Sequence, residues 1–285
     1  MQLRQAIDAA YQLFLQEDVP SPRLNAELLM VFVLGRDRAY LYAYPERELT
    51  PDEQSRYDEV TTERARGCPT QYITGHQEFW GLDLIVTPAV LIPRPETEHV
   101  VETVLELARE CYREYPHRLR MIDVGTGSGC IALALASEMP QAEIHACDIS
   151  EEALEIARLN SVRLALGGKV LFRKSDLLSL YSGEKFDLVI SNPPYVGELE
   201  ADKVQKQVRD FEPKIAVFSG KEGMDIYRRL IPQAKDVLRP GGWLVTEIGF
   251  STEQSVKDLL QGWCDIRTTA DLQGIPRVIA AQKPA

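Results

Sequence analysis

Met121-Ile122-Asp123-Val124-Gly125-Thr126-Gly127-Ser128-Gly129-Cys130-Ile131-Ala132 is a short apolar run that passes through three glycines into a helical pattern. A strand, a glycine turn and a helix in that order describe the carboxyl end of the first strand of an open α/β sheet, where a ligand can lie against bare backbone. A dinucleotide fingerprint, G-x-G-x-x-G, requires glycine at position 130, where Cys130 stands. The pattern is instead D-x-G-x-G-x-G. Asp123 would repel a pyrophosphate and suits a ligand carrying a cationic amine.

The next apolar run ends in Ala146-Cys147-Asp148, nineteen residues beyond Gly129. This places the Asp148 carboxylate where it can accept from both hydroxyls of a ribose. The third run ends in Ser175-Asp176-Leu177, with Asp176 able to accept from an adenine amino group and Leu177 to pack on the ring. Three strand ends that each supply a suitable group point to a nucleoside-type cofactor, and S-adenosylmethionine fits better than NAD.

The fourth run, Phe186-Asp187-Leu188-Val189-Ile190-Ser191, leads directly into Asn192-Pro193-Pro194-Tyr195. Two prolines fix the backbone and donate no hydrogen bonds, so the carbonyls of Asn192 and Pro193 are free to face a ligand. The Asn192 side-chain oxygen and the Pro193 carbonyl can together accept both protons of a planar NH₂ group, on which Tyr195 can stack. An amide or ring-amino nitrogen is a poor nucleophile, so rate must come from orientation and from bonds that strengthen as charge develops on that nitrogen. The same tetrapeptide in an arbitrary loop would read as a simple turn; its place at a strand end beside the glycine loop favours the catalytic reading.

Around this centre, apolar runs at 121–124, 143–147, 170–173, 186–191, 243–248, 264–269 and 277–281 alternate with helical patterns at 130–138, 151–166, 224–238 and 252–262. The alternation predicts a seven-stranded parallel sheet covered by helices on both faces. Residues 192–223 are polar and irregular, a long connection of the kind that carries function. Residues 1–75 read as a small helical bundle, with Ala6, Ile7, Ala10, Leu13 and Phe14 at helical spacing, and likewise Leu24, Leu28, Val31 and Leu34. Thr50-Pro51-Asp52-Glu53 is a capping box. Period-two patterning around Phe79-Trp80-Gly81 makes 76–93 a β-hairpin linker, and Pro93-Arg94-Pro95 opens the third segment, 94–285, leading to a helix at 97–111.

The chain has 285 residues, 32 Lys and Arg against 43 Asp and Glu, and a net charge of −11. This balance disfavours tight unassisted binding to a phosphate backbone. The bundle follows the same trend, with 8 Arg against 12 acidic residues, and the first lysine is Lys169. No apolar run exceeds seven residues, whereas a membrane span needs about 20. The start does not read as a signal peptide, so a cytoplasmic protein without membrane association is expected. Five cysteines without a C-x-x-C pair favour reduced, mostly buried thiols over disulfides or zinc. His76, His99, His117 and His145 lack metal-ligand spacing and read as surface or packing residues, and no metal is expected.

These residues resemble the HemK or PrmC family, bacterial protein-(glutamine-N5) methyltransferases that act on peptide chain release factors. The likeness covers essentially the whole chain. Beyond the glycine loop and Asn192-Pro193-Pro194-Tyr195, it includes Gln71-Tyr72-Ile73-Thr74-Gly75, Phe79-Trp80 and Leu91-Ile92-Pro93-Arg94-Pro95-Glu96-Thr97-Glu98. Phe211-Glu212-Pro213, Gly220 and Gly223-Met224-Asp225-Ile226-Tyr227-Arg228 match too. Asn-Pro-Pro-Tyr alone is shared with DNA and RNA amino methyltransferases, while the Pro-Arg-Pro loop and the helical N-terminus look specific to the release-factor enzymes.

The resemblance implies a class I, Rossmann-like methyltransferase domain. In it Gly125, Thr126, Gly127, Ser128, Gly129, Asp148, Asp176, Leu177 and Asn192 bind S-adenosylmethionine. Asn192, Pro193, Pro194 and Tyr195, with Arg94, hold the glutamine of a Gly-Gly-Gln loop, and the bundle grips a class 1 release factor. A monomer without a stable nucleic-acid partner is expected. Two positions depart from the family pattern: Leu177 stands where members often have an aromatic residue, and Glu96 where many have Asp. The main rival, a DNA or RNA adenine or cytosine amino methyltransferase, presents the same NH₂ geometry after base flipping. It calls for a basic stripe beside the site, and Val196-Gly197-Glu198-Leu199-Glu200-Ala201-Asp202 is acidic. A non-catalytic cofactor-binding module would have a degraded clamp, and a Rossmann oxidoreductase would lack Asp123 and have glycine at 130.

Overall fold

The computed structural model describes residues 1–111 and 118–285; the expectation for His117 and the side chain of Cys111 lie outside them. The described chain divides into two compact units, one of Met1–His76 with Gln205–Phe211, the other of Gln77–Val204 with Glu212–Ala285.

The first unit contains α1 (Leu3–Gln16), α2 (Pro22–Leu34), α3 (Arg38–Ala43), α4 (Pro51–Ala65) and α5 (Thr70–Thr74). Leu3, Ile7, Phe14, Leu29, Met30 and Tyr57 form its core. The capping box starts α4 as expected, with Thr50 Oγ1 accepting from the Glu53 amide at 3.2 Å and the Glu53 carboxylate accepting from the Thr50 amide at 2.9 Å. On α2 the expected positions divide, with Val31 and Leu34 packing against the core. Leu24 and Leu28 are 41% and 37% exposed, whereas Ala26, Leu29, Met30 and Val33 are buried. Residues 28–34 are apolar all round, so periodicity cannot choose a face; α2 packs against α1 and α4 through Ala26, Leu29, Met30 and Val33. Gln205–Phe211, far along the chain, belongs to this unit, which contiguous division at residue 75 does not foresee. There the buried Arg64 guanidinium donates to Asn25 Oδ1, the Cys68 carbonyl and Gln207 Oε1, each at 3.0 Å.

The second unit opens with a tight hairpin, β1 (His76–Phe79) and β2 (Leu82–Ile85), which ends well before residue 93. Its two-residue turn is Trp80-Gly81, both at positive φ, the mirror-turn geometry that matches strand twist. A single 3-10 turn at Pro95–Thr97 precedes α6 (Glu98–Cys111). Then follow β3 (Arg120–Val124), α7 (Cys130–Glu138), β4 (Glu143–Asp148), α8 (Glu151–Arg163), β5 (Val170–Lys174) and β6 (Phe186–Ser191). Residues 192–223 are not irregular: they hold a 3-10 turn at Glu198–Lys203, α9 (Lys206–Phe211) and α10 (Lys214–Val217). The chain closes with α11 (Asp225–Val237), β7 (Leu238–Glu247), α12 (Glu253–Leu259), β8 (Cys264–Ala270) and β9 (Pro276–Gln282).

Among the described residues the main sheet has seven strands in the order β5-β4-β3-β6-β7-β9-β8. Five are parallel, but β9 runs antiparallel to both β7 and β8, correcting the all-parallel expectation. The short β8–β9 connection permits only an antiparallel pair, since a parallel one needs a crossover of a dozen residues or more. Side chains of α6 and α7 pack on one face, and those of α11 and α12 on the other. The chain steps outward from β3 to β4 and β5, then returns to β6 beside β3. That reversal opens a crevice at the carboxyl ends of β3 and β6.

Candidate active site

Register places the key residues side by side. Val124 pairs with Cys147 and with Ser191, so Gly125, Asp148 and Asn192 emerge together from three adjacent strands. Ser191 pairs with Thr246 on the far side, which brings Glu247 next to Asn192. A cavity of about 420 Å³ occupies the crevice.

Gly125 and Gly127 line that cavity, and a Cβ at either would meet open space; the loop presents bare backbone to it. Asp148 lines it as well, its Oδ2 accepting from the Gly127 amide and its Oδ1 from the Ser150 amide, both at 2.9 Å. Each oxygen retains a lone pair. Burial holds this carboxyl above the usual Asp range, against the pull of those amides. Leu177 lines the cavity at a φ of +49°, a left-handed conformation that costs a leucine strain.

Other predicted residues have different surroundings. Gly129 does not line the cavity: its φ is +84°, and a Cβ there would stand 3.1 Å from Leu133 and 3.2 Å from Ala157. Its glycine serves the packing of α7 against α8. Thr126 is buried and donates through Oγ1 to Asp123 Oδ2 at 2.6 Å, and the buried Ser128 hydroxyl is unpartnered among the described residues. Asp176 lines the cavity, but its Oδ2 accepts from Arg229 at 2.6 Å, so the carboxylate assigned to adenine is shared with a guanidinium. Arg94 is bound to the buried carboxylate of Glu212, which also accepts from the Ile92 amide at 3.1 Å. That pair fastens the Pro-Arg-Pro loop to Glu212 and gives Arg94 a scaffold contact that the sequence did not foresee.

Asn192, Pro193 and Pro194 line the cavity. Tyr195 turns aside, its hydroxyl donating to Glu247 Oε1 at 3.2 Å, and burial raises its phenol pKa. Three further residues escaped the sequence reading. Asn160, fully buried on α8, donates to the carbonyls of Ser128 and Ile85, 3.0 Å each, tying the glycine loop to the hairpin. Thr97 Oγ1 donates to Glu247 Oε2 at 2.7 Å and accepts from Asn192 Nδ2 at 3.0 Å. Glu247 is 2% exposed, and burial pushes its carboxyl up to about 7. A carboxylate closing the strand beside β6 was a readable signal for Glu247, and Thr97 stood within the 91–98 motif without a role of its own; Asn160 carried no signal.

Gly223 approaches the 192–195 turn most closely. Its φ is +76°, and a Cβ would stand 2.1 Å from the Tyr195 carbonyl oxygen. Gly223→Ala must displace that turn, with an expected stability loss of about 1–3 kcal/mol and a marked fall in turnover, read by thermal denaturation and initial rates. Normal values for both would remove the packing argument.

Comparisons with known proteins agree with this architecture. Residues 5–75 match the family model described as PrmC N-terminal domain, and residues 106–210 match Methyltransferase small domain. A release factor glutamine methyltransferase of Koribacter versatilis (strain Ellin345) is 57% identical over 285 residues, 100% of this chain and 99% of its own. One of Geobacter sulfurreducens is 37% identical over 98% of this chain and 96% of its own. Among solved structures, the N-terminal domain of human METTL16 in complex with SAH superposes with a TM-score of 0.53 at 20% identity, covering 80% of this chain and 84% of that one. A methyltransferase from Pyrococcus furiosus gives 0.54 at 18%, covering 80% and 100%. The structural likenesses establish the methyltransferase fold, and the full-length identities establish the family: the chain belongs to the release factor glutamine methyltransferases.

Proposed function

We propose that this enzyme transfers the methyl group of S-adenosylmethionine to the side-chain amide nitrogen of the glutamine in the Gly-Gly-Gln motif of a class 1 release factor. The observation that carries the reading is that Asn192 and Pro193 line the same cavity as Gly125, Gly127 and Asp148. Residues suited to an NH₂ group and residues suited to a nucleoside thus share one crevice.

The residues present fit S-adenosylmethionine. Asp148 offers acceptors for the ribose hydroxyls, and Gly125 and Gly127 offer bare backbone. Beneath the loop, Asp123 is buried with Oδ1 unpartnered among the described residues. Burial, the largest cause, pushes its carboxyl up to about 7; an aminoacyl ammonium in the cavity above it would draw that value down. When bound, the cofactor supplies an electrophilic methyl on a sulfonium and leaves as the neutral thioether.

The protein's part is orientation. Asn192 Oδ1 and the Pro193 carbonyl would accept the two amide protons, directing the nitrogen lone pair toward the donor. As the nitrogen gains charge these bonds become charge-assisted and roughly double in strength, which lowers the barrier more than it tightens ground-state binding. The methylated nitrogen carries an extra, strongly acidic proton that it releases to water, so no strong base is required. Tandem mass spectrometry of a methylated release factor tests the assignment: one added methylene on the side-chain amide of the Gly-Gly-Gln glutamine is expected, and a methyl on any other residue would refute it.

A further inference from the structure

We propose that Thr97 and Glu247 are positioning residues that fix which end of the Asn192 amide faces the substrate, acting through a buried chain of hydrogen bonds from Glu247 through Thr97 to Asn192. The proposal rests on the reading of Asn192 as the acceptor of a substrate amide proton.

A threonine hydroxyl owns one proton, and at 2.7 Å from Glu247 Oε2 it gives that proton to the carboxylate. Toward Asn192 Nδ2, at 3.0 Å, it can then only accept. The amide is thereby held with its donor end on Thr97 and its acceptor end, Oδ1, left for the cavity that Asn192 lines. Tyr195 OH donates to the other oxygen, Oε1, at 3.2 Å, so one carboxylate orients both ends of the 192–195 turn.

Protonating Glu247 reverses the chain. A carboxylic acid can donate to Thr97, whose own proton then goes to Asn192 and favours the flipped amide. An outward NH₂ would meet the substrate's NH₂ donor to donor. Activity therefore needs ionised Glu247 and rises with pH through about 7, the value to which burial pushes this group. Facing it are Thr97 and Glu96 from the turn before α6, Tyr195 from the loop after β6, and Arg277 from β9. Tyr227 from α11 donates to its backbone carbonyl at 2.7 Å, and Cys130 of α7 feels its charge. Burial outweighs Arg277, whose guanidinium also serves Asp271 at 2.8 Å.

The test pairs an isosteric loss with a conservative rescue, assayed on a release factor with saturating donor. Thr97→Val is expected to lower kcat at least about ten-fold with KM for the factor nearly unchanged, and Thr97→Ser to recover most of it. Glu247→Gln should lower kcat and abolish its rise through neutral pH. In the unloaded enzyme, carboxyl-carbon NMR should show Glu247 titrating at higher pH in Thr97→Val, because the Thr97 hydrogen bond lowers this pKa. Unchanged kcat in Thr97→Val, or a loss matched by an equal loss of S-adenosylhomocysteine affinity, would overturn the proposal. If Asn192→Ala still loses turnover, the amide-clamp reading survives that failure; if Asn192→Ala turns over normally, both fall.

Discussion

Asn192→Ala should reduce methyl transfer by about a thousand-fold, since one preorganised partner of the developing charge is typically worth 10²–10³ in kcat and orientation is lost with it. The side chain lines the cavity from the end of β6 and is held by Thr97 at 3.0 Å. Alanine leaves Asp148, Gly125 and Gly127 in place, so even with Asn192 implied to touch the donor, calorimetric affinity for S-adenosylhomocysteine should fall far less than the rate. Loss of rate with intact cofactor binding separates a catalytic role from a folding role. Near-normal turnover would refute the clamp.

The second large effect belongs to the opposite wall. Asp148→Ala deletes the acceptors assigned to the ribose and strands the amides of Gly127 and Ser150, each of which donates to this carboxylate at 2.9 Å. Hydrogen bonds to a charged group are worth about 1.5–3 kcal/mol each. Two lost together predict a fall in S-adenosylhomocysteine affinity of at least about a hundred-fold. Turnover at saturating donor should drop far less, because Asp148 does not touch the reacting nitrogen. Unchanged affinity in a titration would remove the ribose assignment.

These two residues were legible in the sequence because each closes an apolar run, and a strand end in an open α/β sheet points toward the crevice. All seven strands followed from the same alternation, although β7 begins at Leu238, ahead of the expected start at Trp243. What escaped has physical reasons. Gly129 reads like Gly125 and Gly127, and only the approach of Ala157 from another helix reveals its packing role. Arg94 in a proline-framed loop reads as a free cation until the buried Glu212 is found beside it. The outward face of α2 was undecidable in a stretch apolar on every side. The reversal at β9 leaves no trace in a hydrophobic pattern that is the same for either strand direction. Glu247 could be placed at a strand end, but its bonds to Thr97 and Tyr195 depend on register with β6 and on the turn before α6, both set by tertiary packing.

The acidic balance of the chain, −11, bears on the substrate. It disfavours a nucleic acid on electrostatic grounds and is compatible with a protein loop that delivers one glutamine. The decisive measurement is methyl transfer from labelled S-adenosylmethionine to a purified class 1 release factor, run beside the same factor with its Gly-Gly-Gln glutamine replaced and beside duplex DNA. Label on the unmodified factor alone is the predicted result, since the variant lacks the one amide that the proposed clamp would hold. Label on the DNA, or equally on both factors, would contradict it.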